Sequence, residues 1–183
     1  MDEPRFNVAS MKLCTRALGP FKRMAIWFQG CDIGCPGCCN PKLQPLVPRN
    51  IIGLSELLEV ASKSRDDNGI EGVTLIGGEP TLQSGLSELV HGIRALGLGV
   101  ILFTGREFED LDENLVSGLD LVIDGRYDNG NPDHSRNLVG SCNQRIVDVS
   151  GRYAGNDWFT VIRDDYIEMD VEGFEIHCSG SVF

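Results

Sequence analysis

Three cysteines follow an apolar segment at the spacing C-x3-C-x2-C: Cys31, Cys35 and Cys38. Glycines and prolines interrupt the chain between them, so a short loop can turn back and direct three thiolates toward one point. Three thiolates suit an iron–sulfur cluster or a zinc ion. A [4Fe–4S] cluster held in this way would keep one iron available for another ligand. The spacing favours such a cluster, while a zinc site with a fourth ligand elsewhere and a metal-free cysteine group stay open.

A second short motif follows a second apolar run. Residues 71–76 are typical of a buried strand, and the next four residues are Gly77, Gly78, Glu79 and Pro80. Two successive glycines let a ligand approach the backbone closely, and the proline stiffens the turn. The two motifs, in this order and about 40 residues apart, resemble those of the radical S-adenosylmethionine (SAM) enzymes.

That resemblance implies two cofactors and their ligands. Cys31, Cys35 and Cys38 are expected to hold a [4Fe–4S] cluster whose open iron binds SAM, and residues 77–80 are expected to contact the methionine part of SAM. Glu79 would accept from the SAM ammonium directly or position backbone carbonyls that do. No catalytic residue is expected beyond the cluster ligands. Further cofactor contacts are expected near the ends of later segments, from Thr104, Asp124 and Asn143.

Composition and charge bound the class of protein. The 183 residues favour a single domain with a hydrophobic core. The net charge of −11, from 27 acidic and 16 basic residues, disfavours a nucleic-acid partner because phosphate contacts need a basic face. No apolar run approaches the roughly 18 residues of a membrane span, and the chain begins without an apolar signal segment. We therefore expect a cytoplasmic protein with no membrane partner, and four cysteines clustered within nine residues fit a metal site there.

Apolar segments alternate with helical patterns through residue 124, which predicts parallel βαβ units. Residues 1–20 are mixed in character, and 41–53 is predicted to be an extended connection. Residues 125–141 are predicted to form a long polar loop. Strands are predicted at 24–28, 72–76, 99–103 and 119–123, and weaker β-structure at 145–149, 158–162, 166–170 and 174–177. Helices are predicted from Ser55 as N-cap, over 83–96 and over 107–116.

Each glycine-bearing motif follows the carboxyl end of a predicted strand. These are the cysteine loop, Gly77-Gly78, Thr104-Gly105 and Asp124-Gly125. In a parallel α/β barrel or open sheet those ends share one face, and that face carries the active site. The predicted fold class is therefore α/β, and the resemblance implies a shortened partial (βα) barrel with a mostly parallel sheet of the radical SAM type.

Other segments narrow the resemblance to the activating enzymes of anaerobic ribonucleotide reductase. They are Gly19–Arg23, Phe103–Arg106, Leu121–Tyr127 and Gly140–Ile146. The likeness covers residues 19 to about 153, so we expect a single radical SAM domain over 1–183, with its core at about 19–153 and a C-terminal β extension at about 154–183. Cys39 and Cys142 depart from the pattern, because those enzymes usually have an aromatic residue and a serine at these positions.

The resemblance also implies a reaction and partners. SAM would be cleaved reductively to methionine and a 5′-deoxyadenosyl radical, with flavodoxin or ferredoxin as the electron donor. In the activating enzymes the radical removes a hydrogen from a glycine of a partner glycyl-radical enzyme. A chain short of a full barrel leaves an open side, which suits a protein loop better than a sealed pocket would. A radical SAM tailoring enzyme for a peptide or small metabolite, and a non-enzymatic iron–sulfur or zinc module, are the alternatives.

Overall fold

Seven strands form one mixed sheet, and the computed structural model describes residues 2–161, 167–172 and 175–180. In chain order the strands of this sheet are β1 (Arg5–Thr15), β2 (Arg23–Phe28), β3 (Asn50–Gly53), β4 (Gly72–Gly77), β5 (Gly99–Phe103), β6 (Leu121–Asp124) and β7 (Arg145–Asp148). Their spatial order is β3-β1-β2-β4-β5-β6-β7. Among the described strands, β3 and β7 are therefore the edges of the sheet.

The centre of the sheet is parallel. β2, β4, β5 and β6 are successive neighbours that run in the same direction, so their carboxyl ends lie along one edge. Three helices lie between strands in the chain: α1 (Leu54–Asn68), α2 (Leu86–Ala95) and α3 (Glu113–Ser117). The predicted α/β class with a mostly parallel sheet is confirmed in this centre, and the predicted alternation of strands and helices holds from β3 onward through residue 124.

Apolar side chains cover both faces of the parallel centre. Val100 and Leu102 belong to the larger buried cluster, which includes the inward faces of α1 and α2. Ile101 points the other way, as successive strand residues must, and packs in a smaller cluster with Trp158 and Phe159. Each fully buried side chain of this size contributes about 1.5–3 kcal/mol of transfer free energy. The strands that carry these loops are thus packed against apolar side chains on both faces of the sheet.

β1 and β3 form an antiparallel flank that was not expected from the sequence. β1 pairs with β2 on one side and with β3 on the other. In its first half, Phe6 and Val8 are buried while Asn7 between them is partly exposed. Such alternation with polar residues hides a strand from a search for apolar runs. β3 lies at the end of the predicted extended connection 41–53.

The start of α1 differs from the prediction that Ser55 is its N-cap. The N-cap is Gly53, and the helix begins at Leu54. Ser55 lies inside the first turn, where its N–H and hydroxyl donate to the Glu3 carboxylate at 2.9 and 3.1 Å. A carboxylate from the segment before β1 thus accepts from an unpaired N–H of the first turn, which is the role predicted for the serine side chain.

Arg23, the first residue of β2, is fully buried at the end of the sheet away from the cysteine loop. Its guanidinium donates to the Thr74 hydroxyl at 2.8 Å, to the Val73 carbonyl at 2.9 Å and to the Tyr153 hydroxyl at 2.7 Å. The Glu71 carboxylate lies 3.3 Å away and balances the charge. Burial raises the pKa of the Tyr153 phenol to about 12, so this partner is neutral. A buried arginine is stable only when it is bonded in this way.

The C-terminal part contains β-structure near two of the predicted segments, as a separate two-stranded sheet, and corrects one predicted strand. β8 (Ile167–Glu172) and β9 (Glu175–Gly180) pair antiparallel near the predicted 166–170 and 174–177. The prediction of β-structure at 158–162 is wrong for 158–161, which form turns, and residue 162 lies outside the described residues. Trp158 and Phe159 pack in the smaller cluster instead of pairing in a strand. Within the described part of the chain, no helix is long and apolar enough to cross a bilayer.

Candidate functional site

The cysteine loop begins where β2 ends, and backbone hydrogen bonds hold its entrance. Gly30 N donates to Leu43 O at 2.8 Å, and Cys31 N donates to Gln44 O at 3.0 Å. Both acceptors belong to the short 3-10 turn Pro41–Leu43 or the residue after it. The beginning of the loop is therefore fastened to the segment that follows its end.

Two glycines let the loop turn between these ends. Gly34 and Gly37 have φ values of 63° and 72°, a left-handed conformation that glycine adopts without strain. Cys38 N donates to Cys35 O at 3.3 Å, which closes the last turn. Cys31 and these two cysteines are all half-buried free thiols. The loop thus presents three unpaired thiols that are partly open to solvent.

The turn at 77–80 packs directly on the start of the cysteine loop. Gly78 N donates to Phe28 O at 2.9 Å, and Glu79 N donates to Gly30 O at 2.8 Å. A Cβ at Gly78 would collide with the Gly30 carbonyl, so only glycine permits this approach. The structure therefore brings together the two motifs that the sequence analysis singled out.

The Glu79 carboxylate ties β4 to β5. It is 1% exposed, and it accepts from the Thr81 hydroxyl at 2.7 Å, the Thr104 hydroxyl at 2.8 Å and Gly105 N at 2.9 Å. Bonds inside the protein occupy both carboxylate oxygens. Of the two roles predicted for Glu79, this arrangement favours the positioning of backbone over direct contact with a ligand. Thr104, another predicted cofactor contact, lies in the same network.

Two arginines at strand exits reach the cysteine loop, and sequence reasoning did not assign them this role. Arg106, beyond β5, donates to both carboxylate oxygens of Asp32 at 2.8 and 2.6 Å. Arg126, beyond β6, donates to Gly34 O at 3.3 Å. Each arginine stands one residue after a glycine at the end of a strand, and that position was the signal available in the sequence.

Asp124 and Asn143, both predicted cofactor contacts, lie on the β6 side of the site. Asp124 is fully buried, and its carboxylate accepts from Phe108 N at 2.8 Å and from the Arg145 guanidinium. Asn143 is exposed, and its amide donates to Arg126 O at 2.8 Å. Asp124 therefore belongs to an internal ion pair, whereas Asn143 supports the residues next to the cysteine loop.

Asp124 is also part of an acidic group that already holds a cation. Carboxylate oxygens of Glu107, Glu109 and Asp124 lie within 4.8 Å of one another. The Arg145 guanidinium contacts all three, at 3.2 Å from Glu107 and 2.7 Å from Glu109. Because the guanidinium stands where a metal ion would have to bind, we assign this group as an ion-pair network.

The surroundings of the cysteine loop raise the pKa of two of its thiols. Burial raises the pKa of the Cys31 thiol, and the negative charge of Glu79 adds to the rise, while backbone N–H groups oppose it. Although Cys39 is exposed, neighbouring protein atoms limit the hydration of its thiolate and raise its pKa, and the neighbouring Cys38 adds to that rise. Because metals bind the thiolate form, binding at Cys31 would release a proton and would weaken as the pH falls.

A cavity of about 450 Å³ adjoins the cysteine loop. Pro36 lines it from the loop, and residues that follow β6 and precede β7 form the rest of its wall: Arg126, Tyr127, Asp128, Asn129, Gly130 and Asn143. The lining includes guanidinium, phenol, carboxylate and amide groups. Most of these residues are exposed, so the cavity opens to solvent. Its chemistry suits a ligand that forms several hydrogen bonds.

Cys39 and Cys142 take different places. Cys39 is exposed beside the three cysteines, and Asn40 Nδ2 donates to its sulfur at 3.4 Å. Cys142 is exposed near β7, where its thiol donates to Pro132 O at 3.4 Å. Neither residue has a contact that gives it a role in the cysteine loop.

The donor set fits an iron–sulfur cluster better than a single ion. Among the residues that the structure describes, the acidic group is the one set of three or more potential ligands within 4.8 Å of one another. The three thiols therefore do not converge as the ligands of one zinc ion would, at about 2.3 Å from the metal. In a cluster each thiolate binds its own iron, so a wider spacing is appropriate. Cys31, Cys35 and Cys38 would hold it.

Comparison with known proteins places these residues in a family. The sequence matches the profile described as "4Fe-4S single cluster domain" over residues 17–147, a range that contains the cysteine loop, the 77–80 turn and the parallel centre. The predicted [4Fe–4S] cluster is confirmed at this level. No curated protein matches the sequence significantly.

Among solved structures, the chain is similar to the crystal structure of QueE from Escherichia coli. The two sequences are 14% identical, and the superposition has a TM-score of 0.47 over 66% of this chain and 70% of that chain. A similarity this low says nothing about the substrate.

Proposed function

This chain belongs to the 4Fe-4S single cluster domain family, and from that premise we propose that it is a radical SAM enzyme that generates a glycyl radical on a partner such as anaerobic ribonucleotide reductase. One observation carries the proposal. Backbone hydrogen bonds from Gly78 to Phe28 and from Glu79 to Gly30 hold the 77–80 turn against the start of the cysteine loop. A cofactor bound at the loop would therefore meet that turn.

The residues of the chain have separate tasks in this function. Cys31, Cys35 and Cys38 would hold the cluster. When bound, the cluster and SAM supply reductive cleavage of a sulfonium C–S bond, which gives methionine and a 5′-deoxyadenosyl radical. Gly77 and Gly78 let the turn pack on the end of β2 and the start of the cysteine loop, because a Cβ at either position would collide with backbone atoms there. The task of Glu79 is to fix the turn to the end of β5, because its carboxylate is bonded to Thr104 and Gly105.

The partner proposal rests on the open side of the site. The described strands form an open sheet with β3 and β7 at its edges, and the cavity beside Pro36 opens to solvent. A loop of a folded partner can enter such a cavity, and the amide and guanidinium groups of Asn129, Asn143 and Arg126 suit the main-chain carbonyls of an extended segment. A glycine in that loop, without a side chain, would expose its Cα–H closest to the cofactor.

The first experiment tests the radical SAM assignment. Protein reconstituted anaerobically with iron and sulfide should carry about four irons per chain and absorb broadly in the visible range. With dithionite and SAM it should release 5′-deoxyadenosine. Cys35→Ala should abolish that release, and Cys39→Ala, one residue beyond the cysteine triad, is the matched control that should retain it. A colourless protein that binds one zinc ion would refute the assignment, and so would full turnover by Cys35→Ala.

The second experiment tests the partner. The reduced, SAM-treated protein is mixed with an anaerobic ribonucleotide reductase, and the EPR spectrum is recorded for the doublet of a glycyl radical. Replacement of the radical glycine in the partner by alanine should remove the signal. If 5′-deoxyadenosine forms but no doublet appears with any glycyl-radical enzyme, the activase role is wrong and the radical SAM assignment stands.

A further inference from the structure

A segment next to Cys31 exposes apolar side chains on a rigid backbone. Leu46 is 72% exposed, Val47 is 47% exposed, and Ile51 at the start of β3 is 44% exposed. A backbone hydrogen bond joins the start of the segment to the cysteine loop, where Gln44 O accepts from Cys31 N at 3.0 Å. Single exposed apolar residues are ordinary, but several on one short segment beside a redox loop mark a contact surface.

Side chains from the neighbouring strands hold this segment in place. Asn7 donates from Nδ2 to Val47 O at 2.9 Å and accepts from Arg49 N at 2.8 Å. Gln29 donates from Nε2 to Pro45 O at 2.7 Å. These bonds order the segment in the free protein, which lowers the entropic cost of docking.

Gln29 holds the segment with one end of its buried side-chain amide. Its side chain is 2% exposed, and among the described residues its Oε1 is a buried atom without a hydrogen-bond partner. A buried acceptor left in this way costs about 1–3 kcal/mol. The amide contacts the segment through its Nε2, which donates to Pro45 O and, at 3.5 Å, to Lys42 O.

The charge of the segment is opposite to that of the whole chain. Residues 41–53 contain Lys42 and Arg49 and no acidic residue, in a protein whose net charge is −11. Lys42 and Arg49 are exposed, and so is Arg5, which donates to Ile51 O at 3.3 Å. A basic rim around an apolar centre favours an acidic protein partner and steers its approach.

The segment and the cavity lie on opposite sides of the cysteine loop. The loop follows β2, and the cavity is lined by residues that follow β6, three strands away. β3, which carries Ile51, lies two strands from β2 in the other direction, roughly 10 Å at the usual strand spacing. A partner docked on the segment would therefore leave the cavity free for the substrate.

We propose that the surface formed by Arg5, Lys42, Leu46, Val47, Arg49 and Ile51 is the docking site of an acidic one-electron carrier protein. The inference rests on the proposed function, which needs one electron for each cleavage of SAM. The carrier is oxidised by one electron and the cluster is reduced by one. The electron enters at the cysteine loop from the β3 side, while the substrate occupies the β6 side.

Two matched pairs of variants test the surface in reconstituted protein. Lys42→Glu is compared with Lys63→Glu, an exposed lysine on α1, and Leu46→Ser with Leu13→Ser, a half-exposed leucine on β1. The probe is a flavodoxin of net negative charge, and its affinity for each protein is measured by biolayer interferometry at several salt concentrations. Lys42→Glu and Leu46→Ser should each weaken binding about tenfold, whereas the controls should bind like the wild type.

A second readout separates this inference from the proposed function. Photoreduced flavodoxin should reduce the cluster, measured as loss of its visible absorbance, more slowly in Lys42→Glu and Leu46→Ser than in the wild type. The release of 5′-deoxyadenosine driven by dithionite should stay unchanged in both variants. Equal flavodoxin binding by all variants would overturn the docking site, and so would failure of the wild type to bind flavodoxin. Loss of a homodimer in Leu46→Ser, with carrier binding intact, would also overturn it. Failure of the dithionite reaction in the wild type would instead refute the proposed function.

Discussion

Arg106 donates hydrogen bonds to both carboxylate oxygens of Asp32, the residue directly after Cys31. The ion pair thus joins the exit of β5 to the cysteine loop. Both side chains are more than a third exposed, so solvent limits the stabilisation from the pair to about 0–1 kcal/mol. Its effect should appear in the loop and not in the global stability of the protein.

We predict that Asp32→Asn speeds the loss of iron from the reconstituted protein severalfold and leaves the unfolding midpoint nearly unchanged. The matched control is Asp66→Asn, which breaks the exposed pair of Asp66 with Arg65 on α1. Iron release to a chelator, followed by absorbance, measures the rate. Equal rates in the two variants would show that the Arg106 pair does not hold the loop.

Glu79→Gln should destabilise the protein before any cofactor binds. The glutamine amide would place N–H groups against donors that now serve the carboxylate, which are Thr81, Thr104 and Gly105. At least one buried donor would lose its acceptor, at a cost of about 2 kcal/mol. Urea unfolding of the cofactor-free protein measures this loss, with the exposed Glu88→Gln on α2 as the control. A stability equal to that of the control would contradict the structural role of Glu79.

The two glycine turns of the cysteine loop should differ in their tolerance of alanine. Gly34 and Gly37 share a positive φ, but a Cβ at Gly34 meets no atom within 4 Å, whereas one at Gly37 would meet Asn129 Oδ1 at 2.6 Å. Gly34→Ala should cost only the backbone strain, about 1 kcal/mol. Gly37→Ala should also displace Asn129 and lower iron uptake. The double variant Gly37→Ala/Asn129→Ala should return iron uptake to the level of Gly34→Ala, and no recovery would rule out the steric cause.

Asp133 should make the loop between β6 and β7 sensitive to acid. Burial alone would raise its pKa, but donors from Ser135 and Arg136 outweigh burial and lower the pKa from 3.8 to about 2. A lowered pKa in the folded state adds stability that is complete above the unfolded value and is lost as the pH falls through the folded value. The stability difference between the wild type and Asp133→Asn should therefore be constant above about pH 4 and shrink toward pH 2. Urea midpoints measured across that range would test it, and a constant difference would contradict the assignment.

The parallel centre of the fold was predictable because its strands contain apolar runs and each strand ends at a glycine or within two residues of one. β1 was not, since Arg5, Asn7 and Lys12 interrupt its pattern and its pairing with β2 depends on residues far along the chain. Trp158 and Phe159 had the composition of a strand, yet burial of their rings against Ile101 decided their place. The local sequence pattern therefore predicted the strands whose side chains are buried on both faces of the sheet.

The candidate site was predictable in its ligands and not in its supports. The spacing of Cys31, Cys35 and Cys38 is local information, and so is the 77–80 turn. The partners of Glu79 are not, because Thr104 and Gly105 lie about 25 residues away and meet the carboxylate only once β4 and β5 are adjacent. The acceptor of Arg126 is 92 residues from it in sequence. Such contacts follow from the order of strands in space.

The buried guanidinium of Arg23 links the cysteine loop to the order in which the chain is synthesised. The Tyr153 hydroxyl that bonds Arg23 lies 130 residues later in the sequence. Until that tyrosine is synthesised, folding of β2 would bury a guanidinium that lacks one of its hydrogen-bond partners. The strand that leads into the cysteine loop should therefore stay incompletely folded. Nascent chains stalled before residue 153 should therefore be cleaved readily by protease near β2, and longer chains should resist. Metal loading would then be one of the last events of biosynthesis, although its ligands are among the first residues made.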